Sequence, residues 1–111
     1  MAAKRLASFA EFWPFYLREH SKPATRTLHY AGTTLVLGCL VAGIATGHGW
    51  LFLAMPVAGY GFAWIAHFAV ERNRPATFTY PLWSLAADFV MFACWISGRL
   101  GRELARAGVK G

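Results

Sequence analysis

The sequence predicts an all-α protein, an integral membrane helical bundle of about four helices. Of its 111 residues, 57% are hydrophobic and only 14% are charged, whereas a soluble domain carries about 25% charged residues. No Asp, Glu, Lys or Arg occurs from Thr27 through Val70, and one membrane crossing needs only ~20 apolar residues. The short connector Gly47-His48-Gly49 divides this run. The run is therefore predicted to form two antiparallel crossings joined as a tight transmembrane hairpin.

We expect a single membrane-embedded domain over residues 1–111. The predicted helices cover residues 6–19, 28–46, 50–72 and 81–105. The first is rich in aromatic residues but carries charges and a proline, which is typical of a helix in the membrane interface with Trp13 and Tyr16 at headgroup depth. Two arrangements stay open for the apolar segment 82–98. Either it crosses the membrane against a weak charge bias, or the first helix dips into the membrane and changes the count.

The net charge of +6 is concentrated at the margins of the apolar segments. The 11 basic residues are Lys4, Arg5, Arg18, Lys22, Arg26, Arg72, Arg74, Arg99, Arg102, Arg106 and Lys110. Those before residue 30 and between residues 71 and 80 lie opposite the connector, and the positive-inside bias makes that side cytoplasmic. Because the chain is short and rich in Ala and Arg, as bacterial proteins often are, we expect a multipass protein of the bacterial inner membrane. No continuous basic helix face is present, which argues against a nucleic-acid partner.

The residues able to do chemistry concentrate in the stretch 64–84. Within eight residues this stretch supplies the His67 imidazole, the Glu71 carboxylate, the Asn73 amide and two guanidinium groups. His67 and Glu71 are four residues apart, so on a helix they share one face and can reach a common ion or proton. Pro75 is expected to end that helix.

The histidine spacing predicts where a site would lie. His29 and His67 are each 19 residues from His48, so each arm of the hairpin rises ~28 Å and the two histidines lie at the same depth on one side. His48 lies at the opposite side between two glycines and is interpreted as a loop residue.

Three histidines and two acidic residues are predicted to meet at the cytoplasmic face. His20, His29 and the pair of His67 and Glu71 come from three separate elements, and Asp88 lies one to two turns inside the third apolar segment. Three imidazoles with a carboxylate are ligands that hold Fe(II), Mn(II) or Zn(II). A carboxylate within a membrane segment is costly unless it is paired, so Asp88 is expected to face the polar groups of the interior.

The arginines near this site have two interpretations. Arg26, Arg72 and Arg74 are typical headgroup anchors, but one guanidinium near the metal can also hold a fatty acid carboxylate by paired hydrogen bonds. We expect Arg26 and Asn73 to bind substrate.

Five motifs together resemble one known family. They are FYLREH at 15–20, RTLHYAGT at 26–33, AWIAHF at 63–68, ERNRPATF at 71–78 and YPLWSLAADF at 80–89. Jointly they resemble the small multipass membrane family that includes the fungal 2-hydroxy fatty acid dioxygenase of phytosphingosine breakdown.

This resemblance implies an Fe(II)-dependent, oxygen-consuming enzyme that shortens a 2-hydroxy fatty acid by one carbon. It implies that His20, His29 and His67 are the iron ligands. Glu71 becomes a carboxylate ligand or a catalytic proton acceptor, and Asp88 a catalytic residue just outside the ligands. The expected partners are a 2-hydroxy fatty acid, molecular oxygen and the lipid bilayer, and self-association is left open.

Two alternatives belong to other functional classes. Two histidines at matched depth on adjacent membrane helices also hold haem in b-type electron carriers. Such a haem centre needs two histidine ligands, and it requires neither a third histidine nor Glu71 at the same place. A small non-catalytic membrane scaffold is the other alternative, and it predicts that the histidines matter for stability alone.

Overall fold

The computed structural model describes residues 6–109, and of Thr77 the backbone only. Over these residues it contains helices and no strand, which confirms the all-α prediction. The elements are α1 (Phe9–Arg18), α2 (Pro23–Thr46), α3 (Trp50–Ile65) continued by a π-helix (Ala66–Glu71), a 3-10 turn (Ala76–Phe78), α4 (Pro81–Ile96) and α5 (Leu100–Ala107). The basic residues Lys4, Arg5 and Lys110 of the charge argument lie outside the described residues.

The helices form two compact units. One contains α2, α3 and the π-helix and is continuous in sequence over residues 22–75. The other combines α1 with the 3-10 turn, α4 and α5. The single domain over residues 1–111 stays a prediction.

The first unit contains the predicted tight hairpin. Gly47 ends α2 in the left-handed conformation, with φ 73°, and its N–H donates to the carbonyl of Gly43 at 2.9 Å. Small residues let the two helices approach closely, because a Cβ on Gly32 would lie 2.9 Å from Cβ of Phe62. Such glycines allow close packing of helices where no water drives their association.

The outer faces of this hairpin are apolar. Pro23–Thr46, with 24 residues, and Trp50–Glu71, with 22, are long and apolar enough to cross a membrane. Only 28% and 17% of their most apolar stretches are buried, whereas the core helix of a soluble protein would be mostly buried. Large side chains such as Ile44 (71% exposed), Leu53 (74%) and Val57 (73%) point away from the protein.

The second unit is built on α1. Ser8 caps this helix, because its hydroxyl accepts a hydrogen bond from the N–H of Glu11 at 3.2 Å. Phe12 and Leu17 are fully buried, and the Phe12 ring lies 5.3 Å from that of Tyr80 between ring centroids. In α5, Leu100, Leu104 and Ala107 are buried.

Three predicted boundaries differ from the structure. The helix expected over 81–105 is two helices, because Gly98 adopts φ 79° and interrupts the chain between α4 and α5. The helix expected over 28–46 begins at Pro23, since proline is well suited to a first helical position. The first helix begins at Phe9 and not at residue 6.

Candidate metal centre

The backbone changes from α to π geometry where it presents His67. The π-helix Ala66–Glu71 ends at Arg72, which adopts a left-handed φ of 61°. The reversal lets the N–H of Asn73 donate to the carbonyl of His67 at 2.9 Å. Pro75 follows and cannot continue a helix. π-Helical turns are frequent at functional sites, and the uninterrupted helix predicted over 50–72 does not include one.

The side chain of Asn73 holds His67 as well. The Nδ1–H of His67 donates to Oδ1 of Asn73 at 2.7 Å. With the proton on Nδ1, the lone pair lies on Nε2. Metal-binding histidines have this arrangement, in which the second ring nitrogen donates to an oxygen that fixes the tautomer and the ring orientation.

His29 brings a second imidazole nitrogen to the same point. Its Nε2 lies 3.4 Å from Nε2 of His67, and the two rings are inclined at 79°. Two nitrogens that are each ~2.1 Å from one ion, at about the tetrahedral angle, are separated by roughly 3.4 Å. Both residues are buried, His29 at 6% and His67 at 2% exposure. The pair therefore fits two ligands of one metal ion, and the equal depth that the spacing predicted is compatible with it.

Glu71 lies at the end of the π-helix and contacts the start of α2. Its Oε1 accepts a hydrogen bond from the backbone N–H of Lys22 at 2.5 Å, and the Lys22 ammonium donates to the carbonyl of Val70 at 2.9 Å. Lys22 is the N-cap residue of α2 and provides no side-chain cap itself. The carboxylate therefore satisfies a free N–H and stabilises the positive end of the helix dipole. Its roles as ligand or proton acceptor stay predictions.

His20, in the other unit, has the same tautomer as His67. Its Nδ1–H donates to the carbonyl of Tyr16 at 2.6 Å, and the two rings pack with centroids 4.1 Å apart. His20 is 1% exposed. Its Nε2 therefore carries the lone pair, in a side chain that is held by a carbonyl and an aromatic face.

Asp88 reaches His20 through Tyr16. The Tyr16 hydroxyl donates to Oδ1 of Asp88, so the expected polar partner of this carboxylate is a phenol. The sequence placed Tyr16 at headgroup depth, but its side chain is fully buried. An aromatic residue among charges suggests an interface, and this one packs inside the unit instead. Its position four residues before His20, on one helix face, is the signal that could have identified it.

The remaining predicted residues divide between buried and exposed positions. Arg26 is buried, at 5% exposure, in the first turns of α2. Its role and that of Asn73 in substrate binding stay predictions. His48 is exposed in the connector, as expected of a loop residue. Within the hairpin unit, the buried His29 and His67 offer two imidazoles that could hold a metal ion, and His20 is buried in the other unit.

Comparison with known proteins places the chain in a family. Residues 6–100 of the 111 match the family model described as Mpo1-like, 2-hydroxy-palmitic acid dioxygenase Mpo1-like. No curated protein and no solved structure gives a significant match. The matched region includes all three buried histidines and the residues that fix them, and it agrees with the resemblance that the sequence motifs indicated. The chain belongs to this Mpo1-like family.

Proposed function

We propose that this protein is an Fe(II)-dependent dioxygenase that shortens 2-hydroxy fatty acids by one carbon. The observation that carries the proposal is the 3.4 Å approach of the Nε2 atoms of His29 and His67, in a chain of this family. Buried imidazoles whose lone pairs converge need an ion or a proton between them. The hydrogen bond from His67 to Asn73 keeps a proton on Nδ1 and directs the Nε2 lone pair of His67 toward His29, as the binding of a shared ion requires.

The proposed ligands are His20, His29 and His67. His20 is included because it is buried and because its hydrogen bond to the Tyr16 carbonyl keeps the proton on Nδ1 and the lone pair on Nε2. Glu71 is proposed as a further ligand or as the proton acceptor.

Iron is the metal that suits both the ligands and the reaction. Imidazole nitrogens bind several divalent metals, but zinc has no redox chemistry. The chemistry that bound Fe(II) supplies is the activation of oxygen. One 2-hydroxy acid and one O₂ balance to the shortened acid, CO₂ and water, so no external reductant is required.

The protein's own residues bind and orient the substrate. The buried guanidinium of Arg26, three residues before His29, is proposed to hold the substrate carboxylate through paired hydrogen bonds. Asp88 is proposed to act through Tyr16, which keeps the His20 ring in place. Asn73 fixes His67 and is proposed to contact substrate as well.

The apolar faces of α2 and α3 support a membrane location. Side chains that are more than two-thirds exposed, such as Ile44 and Leu53, would face lipid tails at no cost but would face water unfavourably. We propose a multipass protein of the bacterial inner membrane with the histidines near the cytoplasmic face. The acyl chain of the substrate then stays in the bilayer while its polar end reaches the metal centre.

The test is anaerobic loading of the detergent-purified protein with Fe(II), followed by metal analysis and an assay with 2-hydroxypalmitate and oxygen. We expect about one iron per chain and formation of the acid one carbon shorter. Alanine at His29 or His67 should remove most of the iron, because a mononuclear site rarely retains its metal after losing one of three nitrogens. His48→Ala, in the exposed connector, is the matched control.

Three results would contradict the proposal. A Soret band with one haem per chain would favour the electron carrier. Histidine variants that change only stability would favour the scaffold. Full turnover of variants that bind no iron would exclude the metal centre.

A further inference from the structure

One buried hydroxyl near the histidines lacks a hydrogen-bond partner. Thr25 is 0% exposed, and its Oγ1 makes no hydrogen bond among the described residues. A buried hydroxyl normally has a partner, because leaving it unsatisfied costs free energy. The exception leaves a buried donor and buried acceptors at Thr25 that no described residue of the protein pairs with.

Other threonine hydroxyls in α2 have a hydrogen-bond partner within the helix. The hydroxyls of Thr27, Thr34 and Thr46 donate to the carbonyl four residues earlier, at 3.0, 2.8 and 2.6 Å. For Thr25 that carbonyl belongs to Ser21, before the helix begins. Lys22 between them is extended, with φ −89° and ψ 136°, so the local back-bond is not formed. The hydroxyl is therefore available to a ligand.

The position of Thr25 relates it to the metal centre. It lies one helical turn before His29 on the same face of α2, where side chains four apart have Cβ atoms about 5–6 Å from each other. The next residue, Arg26, is buried as well. A hydroxyl, a guanidinium and an imidazole are thus buried within five consecutive residues.

We propose that the Thr25 hydroxyl binds the 2-hydroxyl group of the substrate and selects 2-hydroxy acids over unsubstituted ones. This inference rests on the proposed function. The Thr25 hydroxyl has one hydrogen-bond donor and two acceptor positions unused. An alcohol group can pair with the donor and with an acceptor, because it both donates and accepts hydrogen bonds. A carboxylate only accepts hydrogen bonds, and it pairs better with a guanidinium, which only donates. The two polar groups of the substrate therefore match the two buried side chains.

The unpaired hydroxyl of Thr25 also makes the site specific for a substrate that can bond to it. An acid without the 2-hydroxyl leaves Thr25 buried and unpaired in the complex, and sites built to bond a substrate hydroxyl reject analogues that lack it.

The test compares Thr25→Val, which removes the hydroxyl at nearly constant shape, with Thr27→Val as the control on the exposed side. Binding of 2-hydroxypalmitate and of palmitate is measured calorimetrically on Fe(II)-loaded protein without oxygen, and melting temperature on the metal-free protein. For Thr25→Val we expect unchanged iron content, roughly tenfold weaker binding of the 2-hydroxy acid and unchanged binding of palmitate. The metal-free variant should melt at the same or a higher temperature. Thr25→Ser should recover the selectivity.

Equal selectivity of Thr25→Val and wild type would overturn the inference while the proposed function stands. A metal-free Thr25→Val that melts several degrees lower would also overturn it, because the hydroxyl would then be satisfied within the protein. If the wild type binds no 2-hydroxy acid, both the proposed function and the inference fail. Should Thr25→Val not fold, Thr25→Ala removes the same hydroxyl and gives the same comparison.

Discussion

The Nδ1–H of His67 donates a 2.7 Å hydrogen bond to Oδ1 of Asn73, six residues later in the chain. The bond exists because the π-helix and the left-handed Arg72 turn the chain back toward His67. Asn73 also donates its backbone N–H to the His67 carbonyl. One residue thus fixes both the main chain and the ring of a proposed metal ligand.

Asn73→Ala should weaken iron binding about 10 to 100-fold, because the His67 ring loses the acceptor that sets its tautomer. The measurement is competition for Fe(II) with a chelator of known affinity. Asn73→Asp keeps an acceptor in the same place and serves as the control, with affinity near that of the wild type. Equal iron affinity of the alanine variant would remove Asn73 from the metal centre.

Tyr16→Phe removes the hydroxyl but keeps the ring that packs on His20, so it separates the effects of these two groups. The ring contact at 4.1 Å is retained, whereas Asp88 loses its donor. We expect the free energy of unfolding to fall by about 1–3 kcal/mol and the affinity for iron to fall several-fold. Chemical denaturation and chelator competition measure the two effects. Tyr60→Phe, at an exposed position, should change neither, and a stability loss at Tyr16 with unaltered iron affinity would make its role purely structural.

Glu71→Gln tests whether this residue binds the metal or moves a proton. Glutamine can still accept the Lys22 N–H that Glu71 accepts at 2.5 Å, so the start of α2 should remain intact. We expect iron content to be retained and turnover to fall, since the variant cannot take up a proton. The readouts are metal analysis and the rate of 2-hydroxypalmitate shortening. Loss of iron along with activity would instead identify Glu71 as a ligand.

Gly32→Ala should loosen the hairpin near His29. The added Cβ would lie 2.9 Å from Cβ of Phe62, whereas at Gly38 it would meet nothing within 4 Å. We expect Gly32→Ala to cost about 1–3 kcal/mol and Gly38→Ala to be neutral or slightly stabilising. Thermal unfolding in one detergent compares them. Equal stability of the two variants would contradict the close helix contact.

The topology is tested by single cysteines placed at His48 and at Arg74, after replacement of the free cysteines Cys39 and Cys94. Both positions are exposed in the structure. We expect an impermeant thiol reagent to label them from opposite sides of inner-membrane vesicles, with position 74 cytoplasmic, because positive residues stay inside. Labelling from the same side would contradict the membrane-spanning hairpin.

The hairpin and the matched histidines could be predicted from the sequence. An uncharged run with a glycine-flanked interruption has few structural solutions, and equal spacing on either side of His48 fixes relative depth. The break at Gly98 could not be predicted, because glycine is also tolerated inside membrane helices. Its left-handed φ of 79° is a property of the folded chain.

The surroundings of the histidines were harder to predict. A change from α to π hydrogen bonding leaves no compositional trace, so the bond from His67 to Asn73 was not expected. The sequence predicts an interfacial position for Tyr16, because an aromatic residue beside charges has the same sequence pattern in a headgroup layer and in a packed core. Only the contact with Asp88 distinguishes the two.

The continuity of the hairpin unit in sequence has a consequence for synthesis. Its helices lie within residues 22–75, whereas α1 belongs with elements that follow residue 75. Chains fold as their parts leave the ribosome, the earlier parts first. The segment that brings His29 to His67 therefore leaves the ribosome before Asp88 does. Tyr16 must wait for Asp88, so the hydrogen bond that anchors Tyr16 beside His20 can form only after the hairpin segment has been made.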